Sequence, residues 1–462
     1  MKRVIIILAA FALVGALFGA PSTATASQGS QSYLILARGN ALPNGLSRAV
    51  ARAGGEVTAT MPEIGLAVAE SGSASFADAL SRNGQVRSVV PNVELQWVDP
   101  VEVHAGPEAG NPPASGEDDL LFDLQWGHDA VDAPEAWEEG LRGSGASVAV
   151  LDTGFDLEHP DLAPNINFAL SKDFTGEGLQ YTLGDVFSHG THTAGTVAAA
   201  DNAIGTIGVA PEAELILVKV LGDEGSGTFA DVIAGIVYAA NSDADVISMS
   251  LGARLDQSGF VDTEGNFVSA QEVAELRTAI GRATSYAHRQ GSTVIASAGN
   301  DAEDYDHAGP ILHLPSDAPH VISIAATGPE GWALDPDTDL DTPAFYTNYG
   351  QSVIDFAAPG GDVDFDLLES GDICTVGVVT VDCYVFDLVF STGNGGWYWA
   401  AGTSMSAPHA AGVAALVIGD NGGSMQPAQV EAALRQLADD LGKPGKDDFY
   451  GLGRIDATNS GE

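Results

Sequence analysis

A chain of 462 residues is long enough for about three domains of ordinary size and a substantial core. Its 18 Lys and Arg stand against 63 Asp and Glu, a net charge of −45, which excludes the cationic surface a nucleic-acid partner needs and argues against docking on anionic lipid. With 45% hydrophobic residues the chain can support a packed fold, and two cysteines exclude a disulfide-framework miniprotein or a four-cysteine zinc site.

Met1-Lys2-Arg3 is a short basic start, Val4 to Ala20 is an apolar run, and Ala24-Thr25-Ala26 is an A-x-A pattern. Together they predict a secretory signal peptide over residues 1–26. No later stretch reaches the ~18 uninterrupted apolar residues of a membrane span. The expectation is a protein secreted to the extracellular side and free of the membrane once the signal is removed.

Residues 32–98 read as a small α+β unit. Strand-like Ser32–Leu36 is followed by a helix over Leu42–Ala53, strands at Glu56–Met61 and Gly65–Glu70, a short helix at Phe76–Arg82, and strand-like Val86–Val90 and Glu94–Val98. The order β-α-β-β-α-β is the split βαβ, ferredoxin-like pattern. Nothing in the unit looks catalytic. Residues 99–117 carry Pro100, Pro107, Pro112, Pro113 and Gly116, a linker composition.

From residue 118 to 462 strands alternate with helices. Strands are expected at Ser147–Leu151, Glu214–Leu221, Asp245–Ser250, Thr293–Ser297, Val321–Ala326 and Val353–Ala357, with helices over Phe229–Ala240 and Ala270–Gln290. Apolar strands with helical crossovers predict an α/β fold, a mostly parallel doubly wound sheet with helices on both faces. Ligands of such sheets sit at the carboxyl ends of the strands. That rule selects Asp152, Ser250-Leu251-Gly252 and Ala298-Gly299-Asn300.

Three segments carry chemistry. Val148 to Gly154 puts the Asp152 carboxylate at the end of a buried strand. His189-Gly190-Thr191-His192 places a histidine before small residues, where a helix can pack tightly. Gly402-Thr403-Ser404-Met405-Ser406-Ala407-Pro408-His409 sets Ser404 at the start of a buried helix, with Pro408 read as part of its first turn. Separately, Asp152 reads as a strand-end cap, Asn300 as a turn residue and Ser404 as an N-cap. His159, His192 and His409 read as packed histidines.

The three segments resemble the Asp, His and Ser motifs of the subtilisin-like serine proteases (subtilases), in that family's order. The resemblance runs over residues 118–457 and includes His159-Pro160-Asp161-Leu162 and Gly451 to Ala457. It implies a secreted serine endopeptidase acting on polypeptides through an acyl-enzyme, with no catalytic cofactor. A serine hydroxyl is a poor nucleophile at neutral pH and needs an imidazole to take its proton. His189 would be that base, with Asp152 holding its tautomer. Asn300 and the Ser404 N–H would stabilise the oxyanion. Gly225-Ser226-Gly227 and Ser250-Leu251-Gly252 resemble the two edges that flank an extended substrate. Residues 32–98 resemble the family's inhibitory propeptide, so the precursor is expected to be an inhibited zymogen cut between Trp97 and Asp118, and the mature enzyme a monomer.

The resemblance also implies one structural calcium ion. Its ligands would be Asp161, Asn202, the carbonyls of Ala200, Ile204 and Thr206, and an acid of the N-terminal arm, read as Asp118 with Asp119 adjacent. Two insertions depart from a minimal family member. One is polar, Arg254–Val268. The other spans 361–399 and contains Trp397-Tyr398-Trp399, Cys374 and Cys383. Strand-like Ile373–Val379 and Val381–Phe390 suggest one hairpin there, and export favours pairing of Cys374 with Cys383. The aromatic trio reads as a satellite core or a substrate grip. Two rival readings are a catalytically silent binding protein on this scaffold and a metallohydrolase using His189 and His192.

Overall fold

The computed structural model describes residues 30–98, 101–107, 115–263 and 265–458. The expected signal segment 1–26, and parts of the expected linker 99–117, lie outside the described residues.

Tyr33-Leu34-Ile35-Leu36 is apolar at four consecutive positions. A strand's side chains alternate between faces, so both faces of this one are buried. Tyr33 and Ile35 pack with Val50, Phe76 and Leu80 under the unit's own helices, Leu46–Arg52 and Phe76–Ser81. Leu34 and Leu36 face the other way and share a core with Leu276 and Ile280 of the long helix Ala270–Gln290. The four antiparallel strands run in the order Gly55–Met61, Leu66–Ser71, Gln31–Ala37, Val86–Pro91. The first helix is shorter than expected, because it starts only after the left-handed Gly45.

The strand expected at Glu94–Val98 does not join this sheet. Asn92 accepts the Ala230 N–H at the start of helix Phe229–Asn241, which fastens the turn to the large unit. Glu94–Gln96 then pairs antiparallel with Ser226–Thr228.

The large unit is the predicted layered α/β fold. Its central sheet runs in the order Thr342–Pro343, Val321–Gly328, Thr293–Ser297, Val246–Met249, Ser147–Asp152, Glu214–Lys219, Lys172–Asp173, with Phe356–Pro359 also beside Val321–Gly328. Every pairing is parallel except that of Thr342–Pro343. Alternation along the strands makes two cores. Ala149, Leu151, Ile216 and Val218 face helices Phe229–Asn241 and Ala270–Gln290. Val148, Val150, Leu215 and Leu217 face Ala194 and Val197 of helix His189–Ala198, and Ala410 to Leu416 of helix Thr403–Asp420.

The insertions hold more structure than one hairpin. Ala253–Asp256 pairs with Ile311–Leu314, and Gly259–Val261 with Phe267–Ser269. In the second insertion, helix Phe365–Ser370 leads to a hairpin of Ile373–Val376 and Val379–Asp382. The Cys374–Cys383 disulfide closes its base. A second hairpin, Val389–Gly393 with Gly396–Ala401, follows. The expected second strand was too long because a 3-10 turn, Cys383–Asp387, interrupts it. Trp399, Phe390, Phe386 and the disulfide form a satellite core. Part of the expected linker is itself a strand: Glu102–Ala105 pairs antiparallel with Gly396–Ala401.

Candidate active site

Asp152 ends strand Ser147–Asp152 and is fully buried. Its Oδ1 accepts the Thr153 N–H at 2.7 Å and lies 2.7 Å from His189 Nδ1. Its Oδ2 accepts the Thr193 hydroxyl at 3.1 Å. These contacts satisfy a carboxylate that burial alone would penalise. His189 is the first residue of helix His189–Ala198, which Ser188 caps by accepting the Thr191 N–H. With Nδ1 committed to Asp152, Nε2 remains buried without a hydrogen-bond partner among the described residues. The helix packs against helix Thr403–Asp420, which carries Ser404 in its first turn.

Ser404 Oγ donates to the Ser250 carbonyl at 3.2 Å, and Ser250 Oγ donates to the Ser404 carbonyl at 2.7 Å. Pro408 explains the second bond. It sits inside the helix, beyond the first turn, and has no N–H to offer the carbonyl four residues back. The Ser250 hydroxyl takes that place.

Asn300 follows strand Thr293–Ser297. Its Oδ1 accepts the Thr403 N–H at 2.9 Å and the Thr403 hydroxyl at 2.8 Å. Thr403 Oγ1 in turn accepts the Gly299 N–H. This fixes which way the amide points. A Cβ at Gly402 would lie 3.3 Å from Asn300 Nδ2, so glycine leaves the amide nitrogen room beside Ser404.

The expected edges already hold a chain. Besides the Glu94–Gln96 pairing, Trp97 donates its N–H to Gly225 O at 3.0 Å and its indole N–H to Gly227 O at 2.8 Å. Gly252 donates its N–H to Trp97 O at 2.9 Å. The Trp97 ring meets Phe229 at 4.9 Å. Among the described residues, only Gly252 of the second edge makes a hydrogen bond to this occupant; Leu251 is core, and Ser250 is engaged with Ser404.

Beyond Gly252 opens a cavity of about 520 Å³ lined by Ser297, Gly299, Asn300, Arg254, His313 and Ser404. His313 was not legible from the sequence, which has ten histidines and places this one in no motif. Its ring fills the space that side chains at Gly252 and Gly299 would take: their Cβ atoms would come within 2.0 and 2.6 Å of it. Ser316 Oγ donates to the His313 carbonyl, so it accepts from His313 Nδ1–H. Burial pushes the ring's pKa down to about 4.

The packed histidines are as expected. His192 donates to Tyr398 O and is pushed down to about 3 by burial. His409 donates to Met405 O, and His159 to Gly396 O. His192 Nε2 is thus spent on a backbone carbonyl, while its Nδ1 is buried with no hydrogen-bond partner among the described residues.

The expected calcium residues also come together. Asp161 and Asn202 each have a buried side-chain oxygen, both Oδ1, with no hydrogen-bond partner among the described residues. The other Asp161 oxygen accepts the Thr206 N–H at 3.0 Å and the Trp397 indole N–H at 2.8 Å. Of the two N-terminal acids, Asp119 accepts the N–H groups of Asn202, Ala203 and Ile204, and Asp118, Asp119 and Asp201 each bring a carboxylate oxygen within 4.8 Å of the others. Leu120 and Leu121 zip onto Ile204 O and Gly205 O, and that register turns Asp119 inward and leaves Asp118 exposed. Burial pushes Asp119 up to about 6.

Residues 143–453 match the family described as "Subtilase family". The chain is 31% identical to thermitase of Thermoactinomyces vulgaris over 342 residues, 74% of this chain and 96% of that protein. It is 33% identical to subtilisin Savinase of Lederbergia lenta over 337 residues, 72% and 97% respectively. The epidermin leader peptide processing serine protease of Staphylococcus aureus shares the fold with a TM-score of 0.71 at 22% identity, over 93% of this chain and 97% of that one. A lanthipeptide protease aligns with a TM-score of 0.55 at 29% identity, over 72% and 92%. On this evidence the chain belongs to the subtilase family and is a serine endopeptidase.

Proposed function

We propose that Asp152, His189 and Ser404 form the catalytic triad of this endopeptidase and that the chain is made as an inhibited, exported precursor. The observation that carries the triad is the 2.7 Å Asp152–His189 contact, which leaves His189 Nε2 buried and unpartnered among the described residues, free to act as the base. Ser404 Oγ would leave the Ser250 carbonyl, give its proton to His189 Nε2 and attack the substrate carbonyl. Asp152 holds the Nδ1–H tautomer and stabilises the imidazolium. The Ser404 N–H, in a first helical turn where such groups have no intrahelical acceptor, and the Asn300 amide receive the oxyanion. His189 then protonates the leaving amine, and water hydrolyses the acyl-enzyme.

Inhibition by residues 32–98 is supported by Trp97, whose backbone occupies both proposed substrate edges. Export is supported by the basic and apolar start of the chain. The mature enzyme is read as a monomer. The Asp161 and Asn202 oxygens, with the carbonyls of Ala200, Ile204 and Thr206, suit one calcium ion, which prefers six to eight oxygen ligands. Bound there, the ion would supply stability, not chemistry. A fluorophosphonate should label Ser404 in the mature enzyme, and Ser404→Ala should leave the precursor uncut. Labelling elsewhere, or normal turnover by the variant, would remove the triad reading.

A further inference from the structure

We propose that the outer edge of strand Gly396–Ala401 is a substrate-binding site, taking up the peptide on the C-terminal side of the scissile bond as an added β-strand. The proposal deepens the protease reading above and rests on it.

Strand Gly396–Ala401 is the second strand of the hairpin built by the large insertion, and its free edge is filled by the chain's own residues 102–105. The pairing is antiparallel, Ala401 with Glu102, Ala400 with Val103, Trp399 with His104 and Tyr398 with Ala105. Val101 donates its N–H to Ala401 O at 3.0 Å, and Gly106 donates to Trp397 O at 2.7 Å. Ala401 is only three residues before Ser404, so a chain paired with it lies beside the nucleophile.

Direction matters here. Residues 94–97 lie on the Gly225 and Gly252 edges, and residues 101–106 on the Gly396–Ala401 edge. One polypeptide therefore occupies both banks in N-to-C order, as a substrate spanning the site must. Once it is cut and released, the edge exposes a row of unpaired N–H and C=O groups, a template for another strand.

The edge is also shaped. Val101 and Val103 pack on the satellite core. His104 meets Tyr384, another member of that core, edge-on at 5.6 Å, with its Nε2 3.2 Å from the Tyr384 hydroxyl. A Cβ at Gly106 would come 2.8 Å from the Phe390 ring and 2.5 Å from Trp397 O, so the groove closes there. The fitting ligand is an extended peptide with small apolar residues at alternate positions and glycine at the far end. The occupant in the mature enzyme is the substrate, the chain's own segment being its stand-in in the precursor.

The test uses mature enzyme and peptides that share one sequence before the cut and carry one to seven residues after it. Between two and six residues kcat/KM should rise about 10- to 100-fold, the scale of a few added main-chain hydrogen bonds, and then level off. N-methylation of the amide equivalent to that of Val101 should remove most of the rise. A synthetic peptide of residues 101–107 should compete with the long substrates and a scrambled one should not. A kcat/KM independent of length would overturn the proposal, as would residues 101–107 still attached to the active enzyme and protected there from hydrogen exchange. In either case Ser404-dependent cleavage of the two-residue peptides would leave the protease reading standing. Failure to cleave any peptide would overturn both.

Discussion

The two banks of the cleft are built from different material. The upstream bank, Gly225 to Thr228 and Gly252, grows from the ends of the central sheet and accepts residues 94–97. The downstream bank, Gly396–Ala401, grows from an insertion with its own core and disulfide, and accepts residues 101–106. Both use main-chain hydrogen bonds. The upstream bank thus comes with the fold's catalytic layout, whereas the downstream one can be changed without touching the central sheet. Recognition on the two sides is separable.

The largest effect should come from the residue between the banks. Ser404→Ala should reduce cleavage to background while leaving both strand pairings intact, read by turnover and by hydrogen exchange of residues 94–97 and 101–106. Loss of protection on either side would mean that catalysis and docking are not separable.

Asn300→Ala should lower kcat by about 10²–10³ with little change in KM, as the proposed oxyanion role of its amide requires. A change confined to KM would assign Asn300 to binding instead.

His313→Ala should enlarge the upstream cavity, since the ring fills the space between Gly252 and Gly299. Cleavage profiles should shift toward larger residues just before the cut, by about 10-fold in relative kcat/KM, with the downstream preference unchanged. An unchanged profile would show that the cavity does not read that residue.

On the downstream side, replacing Cys374 and Cys383 with Ser should cost at most ~2–3 kcal/mol, the chain-entropy value for so short a loop. Long peptides should lose more kcat/KM than two-residue ones. Equal losses would mean that the insertion supports the whole enzyme. Calcium removal gives the smallest contrast. Restoring the ion at ~100 Kd should add ~2.7 kcal/mol, and Asp161→Asn should abolish most of that gain. Because Trp397 donates to Asp161, removal should also weaken the downstream bank slightly. A melting temperature indifferent to calcium would refute the site.

Much of the catalytic unit was legible because its signals are local. Asp152, His189, Asn300 and Ser404 each stand at an element boundary marked by glycine or small residues, and buried parallel strands announce themselves as apolar runs. The meeting of Asp161 with Thr206 was legible, but the register of the N-terminal arm beside that loop, with Asp119 buried and Asp118 exposed, was not. The insertion was read as one hairpin because an apolar run does not show where a 3-10 turn breaks it.

The sequence by itself determined the layered α/β pattern of the large unit and most of its central strands, and it singled out the side chains proposed to carry chemistry. These follow from periodicity, capping and residue type within a few positions. The tertiary structure alone decided which strand edges meet. Glu94–Gln96 left its own sheet for the groove, Glu102–Ala105 became a strand on the insertion, and His313 became a cavity wall. The physical reason is that edge pairing is made by backbone N–H and C=O groups, which are nearly the same in every residue. Local sequence can prepare an edge, but only the packed positions of distant elements choose its partner.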